Sequence, residues 1–342
     1  EIPNFIGVAK QIAPFITFCV SADTQILTKK GWKTFDLLNN DDLTLAYNIE
    51  NQILDWQTIE KINVFEYSGE MINIKHRSLD ILMTPDHRNI VRHRNKKQYI
   101  NIIKLAKKLN SRDSIIVAGQ YQAPVDKIIE DDIVRLVGWF VTEGYLINTT
   151  NAFCIGQTNP VGQKEIENLR IRLKVDKYNI QLRRYKLGGY KLHKIYYFPA
   201  YLRDKILKLA PNKKLTMEFL LKLTSKQLNI LYETILLADG CVSGSQPVII
   251  QKNGITADSI QILGILLGKQ FGWSVRKDNC VMITSCSGKY RELKRNKPIK
   301  INYNGIVWCP KTQWGTWVAR RNGKIFITGN TYKSIPRIAE TL

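Results

Sequence analysis

The fold can be inferred first from two stretches, F-C-V-S-A-D-T-Q-I-L-T at residues 18–28 and G-K-I-F-I-T-G-N-T at residues 323–331. The first carries a thiol at Cys19, and the second carries an amide at Asn330 followed by a hydroxyl at Thr331. A cysteine thiol is the most nucleophilic side chain at neutral pH. Together, the three side chains supply the groups that a rearrangement of peptide bonds requires.

Short apolar runs separated by turns fill the sequence from Cys19 to about residue 120. Runs such as T-Q-I-L-T, L-T-L-A-Y-N and M-I-N-I-K-H have the period of two that is typical of half-buried strands. The stretch from about Ile301 to Asn330 is again strand-like and contains two Asn-Gly turns. The middle differs, because longer helical patterns alternate there with β ribbons. We therefore expect one β domain, split in sequence by an inserted α/β domain.

Four blocks of the β part resemble those of an intein, that is, of a protein-splicing Hint domain. Residues 18–28 resemble the first block, and M-T-P-D-H-R-N-I-V at 83–91 resembles the second. Residues 305–311 and 317–331 resemble the two C-terminal blocks. The resemblance implies an all-β, horseshoe-like fold, and a segment 19–330 that cuts itself out and joins its flanks without a cofactor.

The resemblance assigns catalytic roles at the N-terminal junction. It implies that Cys19 attacks the carbonyl of Phe18 and forms a thioester. His87 is expected to donate to the amide nitrogen that is expelled, and Thr84 to help hold that group. Cys309 stands where the family usually carries Asp, or sometimes Cys, so that it is expected to tune Cys19 or to relay the second transfer. Some inteins use an internal Cys there as the first nucleophile, but those lack the N-terminal Cys, so the presence of Cys19 favours the direct route.

The C-terminal junction matches the family with one departure. The resemblance implies that Thr331 takes over the N-terminal flank and that Asn330 then cyclises and releases the intein. The family usually has His before the terminal Asn, to assist cyclisation, and this chain has Gly329. We therefore expect a slower cyclisation or another proton donor.

Two apolar stretches in the middle of the chain each end in an acid followed by glycine. They begin at Leu136 and Leu231 and end at Glu143-Gly144 and Asp239-Gly240, with acids 239 − 143 = 96 residues apart. A carboxylate at the C-terminal end of a helix is disfavoured by the helix dipole, and a bound cation would stabilise it. Two such acids form a hard-oxygen site suited to Mg²⁺, and paired metals can support phosphodiester hydrolysis. One stretch alone would indicate a core helix with a glycine cap, whereas the pair favours a nuclease.

The two stretches resemble the LAGLIDADG motifs of homing endonucleases, which are common intein insertions. The resemblance implies an α+β domain with two pseudo-symmetric αββαββα-like halves, in which Glu143 and Asp239 are catalytic and bind Mg²⁺. N-K-K-L-T-M-E-F at 212–219 resembles the block that supplies a catalytic lysine, and Lys213 is the best match. Thr216 stands where the family usually has Pro.

Positive charge is concentrated in the middle of the chain. The net charge is +22, and residues 131–300 hold 28 Lys and Arg against 13 Asp and Glu, so 28 − 13 = +15 of it lies there. Such an excess is expected for phosphate binding, although charge alone is also compatible with a soluble basic surface. The ribbon at 180–198 interleaves tyrosines with cations that we expect to bind DNA, and 248–283 should supply a second ribbon. The expected DNA-binding residues are Arg183, Arg184, Lys186, Lys191 and Lys194.

These observations predict five segments: a host (extein) fragment at 1–18, the Hint domain at 19–125 and 301–330, the LAGLIDADG endonuclease at 126–300, and a second host fragment at 331–342. The predicted partners of the monomeric chain are its host exteins and double-stranded DNA, with a long asymmetric target at the intein-less host allele. Two alternatives remain: a free-standing homing endonuclease or maturase without splicing, and a DNA-binding intein with a decayed nuclease.

The cellular location of the protein is predicted from three features that the sequence does not show. No apolar run reaches the ~20 residues that span a bilayer, and no signal peptide is visible. The six cysteines show no C-x-x-C spacing, which argues against a zinc site or a disulfide framework. We therefore predict a cytoplasmic protein without membrane contact that is nucleoid-associated when bound to DNA.

Overall fold

The part of the chain that the structure describes is rich in β structure, with 46% of its residues in strands and 26% in helices, as expected from the sequence. The computed structural model describes residues 11–12, 18–39, 41–147, 149, 151–176, 180–186, 190–244, 246–286, 288–294 and 297–329. These residues divide between two compact units. The first comprises Glu1–Gln122, Gly268–Trp273 and Cys286–Leu342, and the second comprises Ala123–Leu267 and Ser274–Ser285.

The N-terminal part of the first unit consists of strands, with short 3₁₀ turns at Phe35–Leu37 and Ala106–Lys108. Its strands are β1 (Gln11–Ile12), β2 (Val20–Ser21), β3 (Gln25–Thr28), β4 (Gly31–Lys33), β5 (Leu43–Tyr47), β6 (Ile53–Thr58), β7 (Lys61–His76), β8 (Leu79–Met83), β9 (Arg88–Asn95), β10 (Gln98–Leu105), β11 (Asp113–Ile116) and β12 (Gln120–Tyr121).

The second unit contains all six α-helices of the described residues, together with a 3₁₀ turn at Pro211–Lys213. In chain order its elements are α1 (Asp131–Glu143), β13 (Gly144–Ile147), β14 (Ala152–Gln157), α2 (Pro160–Arg172), β15 (Ile180–Lys186), β16 (Tyr190–Phe198), α3 (Ala200–Leu209), α4 (Met217–Leu221), α5 (Ser225–Asp239), β17 (Gly240–Ser243), β18 (Gln246–Lys252), α6 (Ile255–Leu266), β19 (Gln270–Val275) and β20 (Cys280–Cys286). The last strand and β19 each carry the chain across a unit boundary.

The chain ends with strands that belong to the first unit: β21 (Tyr290–Glu292), β22 (Ile299–Lys311), β23 (Thr316–Arg321) and β24 (Lys324–Gly329). They complete three sheets, ordered β1-β7-β22-β2-β8, β10-β9-β11-β21 and β12-β6-β5-β3-β23-β24, with β4 paired to β3. The long strands β7 and β22 are antiparallel along the whole length of β22, so that the first of the two predicted Asn-Gly turns, at 304–305, is instead part of a strand. The core of the unit includes the buried rings of Trp308 and Trp317, whose centroids lie 5.2 Å apart.

The short strand β2 fixes the surroundings of residue 19. Val20 pairs with Trp308 of β22 on one side and with Met83 of β8 on the other. The residue before β2 therefore lies beside the residues that follow Met83 and Trp308. Those residues are Thr84 and Cys309.

Two successive stretches of the second unit repeat one order of elements. The run α1, β13, β14, α2, β15, β16 is followed, after α3 and α4, by α5, β17, β18, α6, β19, β20. Their sheets are ordered β13-β14-β16-β15 and β17-β18-β20-β19. Helices α1 and α5 approach each other closely at Gly138, because a Cβ there would lie 2.8 Å from the Thr234 methyl group. A larger residue at 138 would push the two helices apart.

The second unit ends earlier in the sequence than the predicted boundary at residue 300. Strand β21 pairs with β11, with Ser114 opposite Glu292, and this pairing places the chain from Cys286 onward in the first unit. Within the part of the chain that the structure describes, no helix has the length and apolar character needed to cross a bilayer.

Candidate active sites

The first candidate site is built around Cys19, whose side chain is fully buried in the first unit. The Cys19 amide donates to the Thr84 hydroxyl over 3.0 Å, and the Thr84 amide donates to the Cys19 carbonyl over 3.0 Å. Thr84 is itself fully buried at the end of β8. The pairing of β2 with β8 therefore holds the amide nitrogen of the Phe18–Cys19 peptide bond against a hydroxyl oxygen.

A second thiol lies next to the first. The Cys19 thiol donates to the sulfur of Cys309 over 3.7 Å. The Asn63 amide lies 3.8 Å from the same sulfur, because β7 places Asn63 opposite Cys309 of β22. The hydrogen bond to Cys309 and burial both raise the pKa of Cys19 well above its ordinary value. At neutral pH, Cys19 is therefore a protonated thiol that must lose its proton in order to attack.

His87 connects the two ends of the candidate excised segment. Its Nδ1 lies 2.9 Å from the carbonyl oxygen of Phe18, and its Nε2 lies 2.6 Å from the hydroxyl oxygen of Thr328. The ring is fully buried, and burial lowers the pKa of His87 to about 4. The neutral ring can therefore offer only one N–H near pH 7. Because a carbonyl oxygen only accepts, Nδ1 carries the proton and Nε2 accepts from Thr328.

The contact of His87 differs from the predicted one in the atom that it reaches. We expected the ring to face the amide nitrogen of residue 19, but it faces the carbonyl oxygen of Phe18, while Thr84 holds the nitrogen. Both sides of the candidate scissile bond are thus contacted by a polar group. Arg88, the next residue, lies with its guanidinium 4.9 Å from the centre of the Phe18 ring and helps to fix that residue.

Gly329 is explained by a close backbone approach. A Cβ at this position would lie 2.6 Å from the carbonyl oxygen of Arg88, too close for any side chain without a backbone shift. The usual histidine is therefore excluded by space at the end of β24. The predicted catalytic residues Asn330 and Thr331 lie outside the described residues, and Gly329 is the last residue described before them.

The second candidate site lies in the second unit, where α1 and α5 end in Glu143 and Asp239. Each acid is followed by a glycine in extended conformation, from which the chain enters β13 or β17 directly. A Cβ at Gly144 would lie 2.6 Å from the Phe140 carbonyl, and one at Gly240 would lie 2.1 Å from the Leu236 carbonyl. The acid-glycine pairs thus allow a strand to start at once beneath each helix.

The two acids share one electrostatic environment. Burial, and then the negative charge of Asp239, raise the pKa of Glu143 to about 7. Burial also raises the pKa of Asp239, against the opposing charge of Lys213 and a hydrogen bond donated by the Gln251 amide. Since two partly buried acids resist simultaneous ionisation, a cation between them would relieve the repulsion.

Lys213 belongs to the same site. Its ammonium donates to the Thr142 carbonyl over 2.8 Å, and burial lowers its pKa. Asn212 and Lys213 have φ values of 52° and 60°, in the left-handed region that side-chain-bearing residues rarely adopt. The strained turn aims the ammonium at the end of α1. Thr142, Lys213, Asp239 and Gln251 line one cleft of about 570 Å³.

The donor set of this site fits a hydrated divalent cation. The described residues contain no cluster of three or more His, Cys, Asp or Glu side chains placed to hold a metal. Glu143 and Asp239 are two hard carboxylate donors with raised pKa values. Mg²⁺ is typically held by one or two carboxylates, with water and substrate phosphate in its remaining positions. The acid pair therefore supplies two of the oxygen ligands that a hydrated divalent cation requires.

The five predicted DNA-binding cations lie on the β15–β16 ribbon. The structure describes four of them by their backbone only. Arg183, Arg184 and Lys186 stand on β15, and Lys191 pairs with Tyr185 from β16. Lys194 has a described side chain, and its ammonium lies 2.8 Å from the Glu167 carboxylate. The charge of Lys194 is therefore partly neutralised within the protein.

The structure adds two residues that the sequence analysis missed. Thr328 contacts His87, and Gln251 contacts Asp239. No feature of the sequence singles out Thr328, since a threonine in a strand is ordinary. The sequence does offer a feature for Gln251, because a glutamine, Gln157, also follows the first acid at a similar distance. That glutamine instead accepts from the backbone amides of the loop after β14.

Comparison with known proteins gives partial matches. No protein-family model matches the chain. A stretch of 125 residues is 31% identical to ribonucleoside-diphosphate reductase subunit beta of Aquifex aeolicus (strain VF5), and covers 35% of this chain and 17% of that protein. Another 73 residues are 27% identical to ATP-dependent Clp protease proteolytic subunit of Chlamydomonas moewusii, and cover 21% of this chain and 7% of that protein. The chain thus spans a small part of each relative.

Similar solved structures include two LAGLIDADG proteins and a split intein. The homing endonuclease I-DmoI in complex with DNA and Ca is 13% identical with a TM-score of 0.33, covering 46% of this chain and 83% of that chain. The N-terminal LAGLIDADG domain of DUF199/WhiA is 11% identical with a TM-score of 0.35, covering 48% and 78%. The AceL NrdHF class 3 split intein is 17% identical with a TM-score of 0.27, covering 30% and 64%.

Proposed function

We propose that the first unit is a self-splicing Hint domain that excises residues 19–330 and joins the flanking exteins. The observation that carries the proposal is the position of one imidazole: His87 contacts Phe18 at the N-terminal junction and Thr328 beside the C-terminal junction. Splicing requires the two ends of the excised segment to meet. The contacts of this ring hold residues 310 positions apart (328 − 18) at a single site.

The geometry supports the first acyl transfer. The Cys19 sulfur attacks the Phe18 carbonyl carbon, the C–N bond breaks, and a thioester and a free amine form. The carbonyl oxygen gains negative charge during attack, and the Nδ1–H of His87 is already 2.9 Å from it. A donor held in place at a developing oxyanion stabilises the transition state. The departing nitrogen gains a proton as it becomes an amine, and the Thr84 hydroxyl, which accepts from its N–H over 3.0 Å, holds it in place.

The proton balance of this step closes between the two reacting groups. Because the pKa of Cys19 is raised, proton removal is part of the barrier to attack, and the proton lost by the sulfur matches the one gained by the departing nitrogen. Cys309 accepts the hydrogen bond of the resting thiol. In the proposal, Thr331 then attacks the thioester, Asn330 cyclises with release of the excised segment, and an acyl shift leaves a peptide bond between Phe18 and Thr331. These later steps are inferred from the resemblance of the four sequence blocks to those of inteins.

We propose that the second unit is a site-specific double-strand DNA endonuclease made of two pseudo-symmetric LAGLIDADG halves. The support is the placing of Glu143 and Asp239 at the ends of two packed helices, beside Lys213. Glu143 and Asp239 would hold Mg²⁺, which when bound supplies an activated water and stabilises the leaving oxygen. Lys213 is positioned to hold a water or a phosphate oxygen beside the acids.

One expression experiment tests the splicing proposal. The chain is produced between two different affinity tags, incubated under reducing conditions and analysed by intact mass. The expected products are the tags joined through Phe18–Thr331 and a free segment of residues 19–330. Cys19→Ala should prevent the N-terminal step, and Asn330→Ala should prevent release. An unchanged full-length mass after long incubation would rule the proposal out.

A further inference from the structure

Thr328 has a specific relationship to His87. It lies on β24 opposite Trp317 of β23, and both its side chain and the His87 ring are fully buried. The distance of 2.6 Å between Thr328 Oγ1 and His87 Nε2 is that of a short, well-formed hydrogen bond. A buried ring nitrogen without a partner would be costly, so the hydroxyl and the ring are mutually dependent.

The direction of this hydrogen bond follows from the other side of the ring. The Phe18 carbonyl can only accept, so Nδ1 must carry the proton in order to bond with it. A neutral imidazole then has a lone pair at Nε2, and only a donor satisfies it. The Thr328 hydroxyl is that donor. If it were absent, the Nε2 lone pair would be buried without a donor, and the ring would lose the contact that orients its Nδ1–H toward Phe18.

We propose that Thr328 is a positioning residue for the first acyl transfer: its hydroxyl donates to Nε2 and so holds the His87 ring in the orientation in which Nδ1–H points at the Phe18 carbonyl oxygen. The inference rests on the proposed splicing function and deepens it. Since the hydroxyl is carried by β24, the ring receives its donor only when the last strand has paired. The Phe18–Cys19 bond is thereby activated only when the C-terminal part of the domain is in place.

The test isolates the first step. In the full chain with Asn330→Ala, which blocks release, cleavage at Phe18–Cys19 is induced with dithiothreitol and followed by mass. Thr328→Val keeps the side-chain shape and removes the hydroxyl, and we expect cleavage to slow by about tenfold or more, which is what the loss of one aligned hydrogen bond to a buried group can give. Thr328→Ser restores the donor and should return the rate to within about threefold of the parent.

A matched control separates positioning from loss of a buried hydroxyl. Thr44 lies fully buried in the same sheet and donates to the Leu27 carbonyl over 2.9 Å, away from His87. Thr44→Val should destabilise the unit without a change at the His87 ring or a comparable loss of cleavage rate. The hydrogen bond to the ring is read from the ¹⁵N shift of His87 Nε2: that of a hydrogen-bonded, unprotonated nitrogen in the parent and in Thr328→Ser, and a shift displaced toward that of a nitrogen without a donor in Thr328→Val.

The possible outcomes are distinct. An unchanged cleavage rate and unchanged ring shifts in Thr328→Val would overturn the inference. If Thr328→Val did not fold, Thr328→Ala would take its place, and a wild-type Nε2 shift and cleavage rate there would equally overturn it. If the parent chain gave no thiol-induced cleavage, the proposed function would fail, while the ring shifts would still report whether Thr328 donates to His87.

Discussion

The sulfur atom of Cys19 lies 3.7 Å from the sulfur atom of Cys309, and the first thiol donates its hydrogen to the second. A donor that is engaged in this way is harder to ionise, and the buried surroundings add to the effect. The pair therefore sets how much reactive thiolate is present at a given pH.

Replacing Cys309 should shift the pH dependence of the first step. In Cys309→Ala the hydrogen bond that raises the pKa of Cys19 is lost, while burial still holds the pKa above its ordinary value. We expect the rate of dithiothreitol-induced cleavage at Phe18–Cys19 to rise with pH along a profile that is displaced to lower pH. Cys154→Ala, a buried thiol of the second unit, is the control and should leave the profile unchanged. A profile identical to that of the parent would show that Cys309 does not tune Cys19.

The buried His87 should make the first unit sensitive to acid. Its pKa falls from 6.5 to about 4 on folding, so the unfolded chain binds the proton more tightly. The free energy of unfolding is therefore unaffected by titration of this group above pH 6.5. As the pH falls toward 4, the free energy of unfolding decreases by about 3 kcal/mol in total. Chemical denaturation at pH 7 and pH 4.5 measures this loss. His87→Gln, which cannot titrate, should lose less stability over the same interval, and an equal loss in both proteins would contradict the assignment.

The surroundings of Cys19 show what sequence reasoning could achieve. The strand pattern and block order placed Cys19, Thr84 and His87 in one β domain, and the pairing of β2 with β8 brings the first two into contact. The role of Thr328 could not be predicted, because it depends on which ring atom of His87 faces β24. That direction is set by tertiary packing and by no local pattern.

Other differences have the same origin. Gly329 stands where the resemblance leads one to expect a histidine, and the sequence does not show that the Arg88 carbonyl oxygen lies 2.6 Å from where a Cβ would stand. Lys194 stays a predicted DNA contact, and the sequence does not show that the Glu167 carboxylate lies 2.8 Å from its ammonium. Both facts concern neighbours distant in sequence, which composition and periodicity do not reveal.

A side chain at position 329 should weaken the fold instead of restoring catalysis. Gly329→Ala, and more so Gly329→His, must displace the Arg88 backbone or the end of β24, at a cost of about 1–3 kcal/mol in the free energy of unfolding. Thermal denaturation measures the cost. Gly305→Ala is the control, since its Cβ would meet only the side chain of Tyr303, at 3.0 Å or more, and no backbone atom. Faster release at residue 330 in a fully stable Gly329→His variant would refute this explanation.

The acid pair should be required for DNA cleavage and dispensable for splicing. Glu143→Gln and Asp239→Asn each remove one of two carboxylates that a Mg²⁺ ion would use. We expect each change to reduce cleavage of DNA carrying the intein-less site by about 100-fold or more, by analogy with the loss seen when metal-site partners are replaced. Glu165→Gln alters an exposed carboxylate of the same unit and should cleave normally. Splicing measured by intact mass should be unaffected in all three variants, and its loss in either acid variant would show that the two activities are not separate.

The same pair predicts a pH-dependent response to metal. Since the pKa of Glu143 is raised to about 7, its ionisation opposes folding, and the penalty grows as the pH rises from about 4.5 through 7. Glu143→Gln should therefore unfold at a higher temperature than the parent at pH 8, and at a similar temperature at pH 5. Mg²⁺ or Ca²⁺ at pH 8 should raise the melting temperature of the parent, because the cation offsets the repulsion between the two carboxylates, and EDTA should reverse that rise. Glu143→Gln should respond less to either ion, and an equal response in both proteins would place the metal elsewhere.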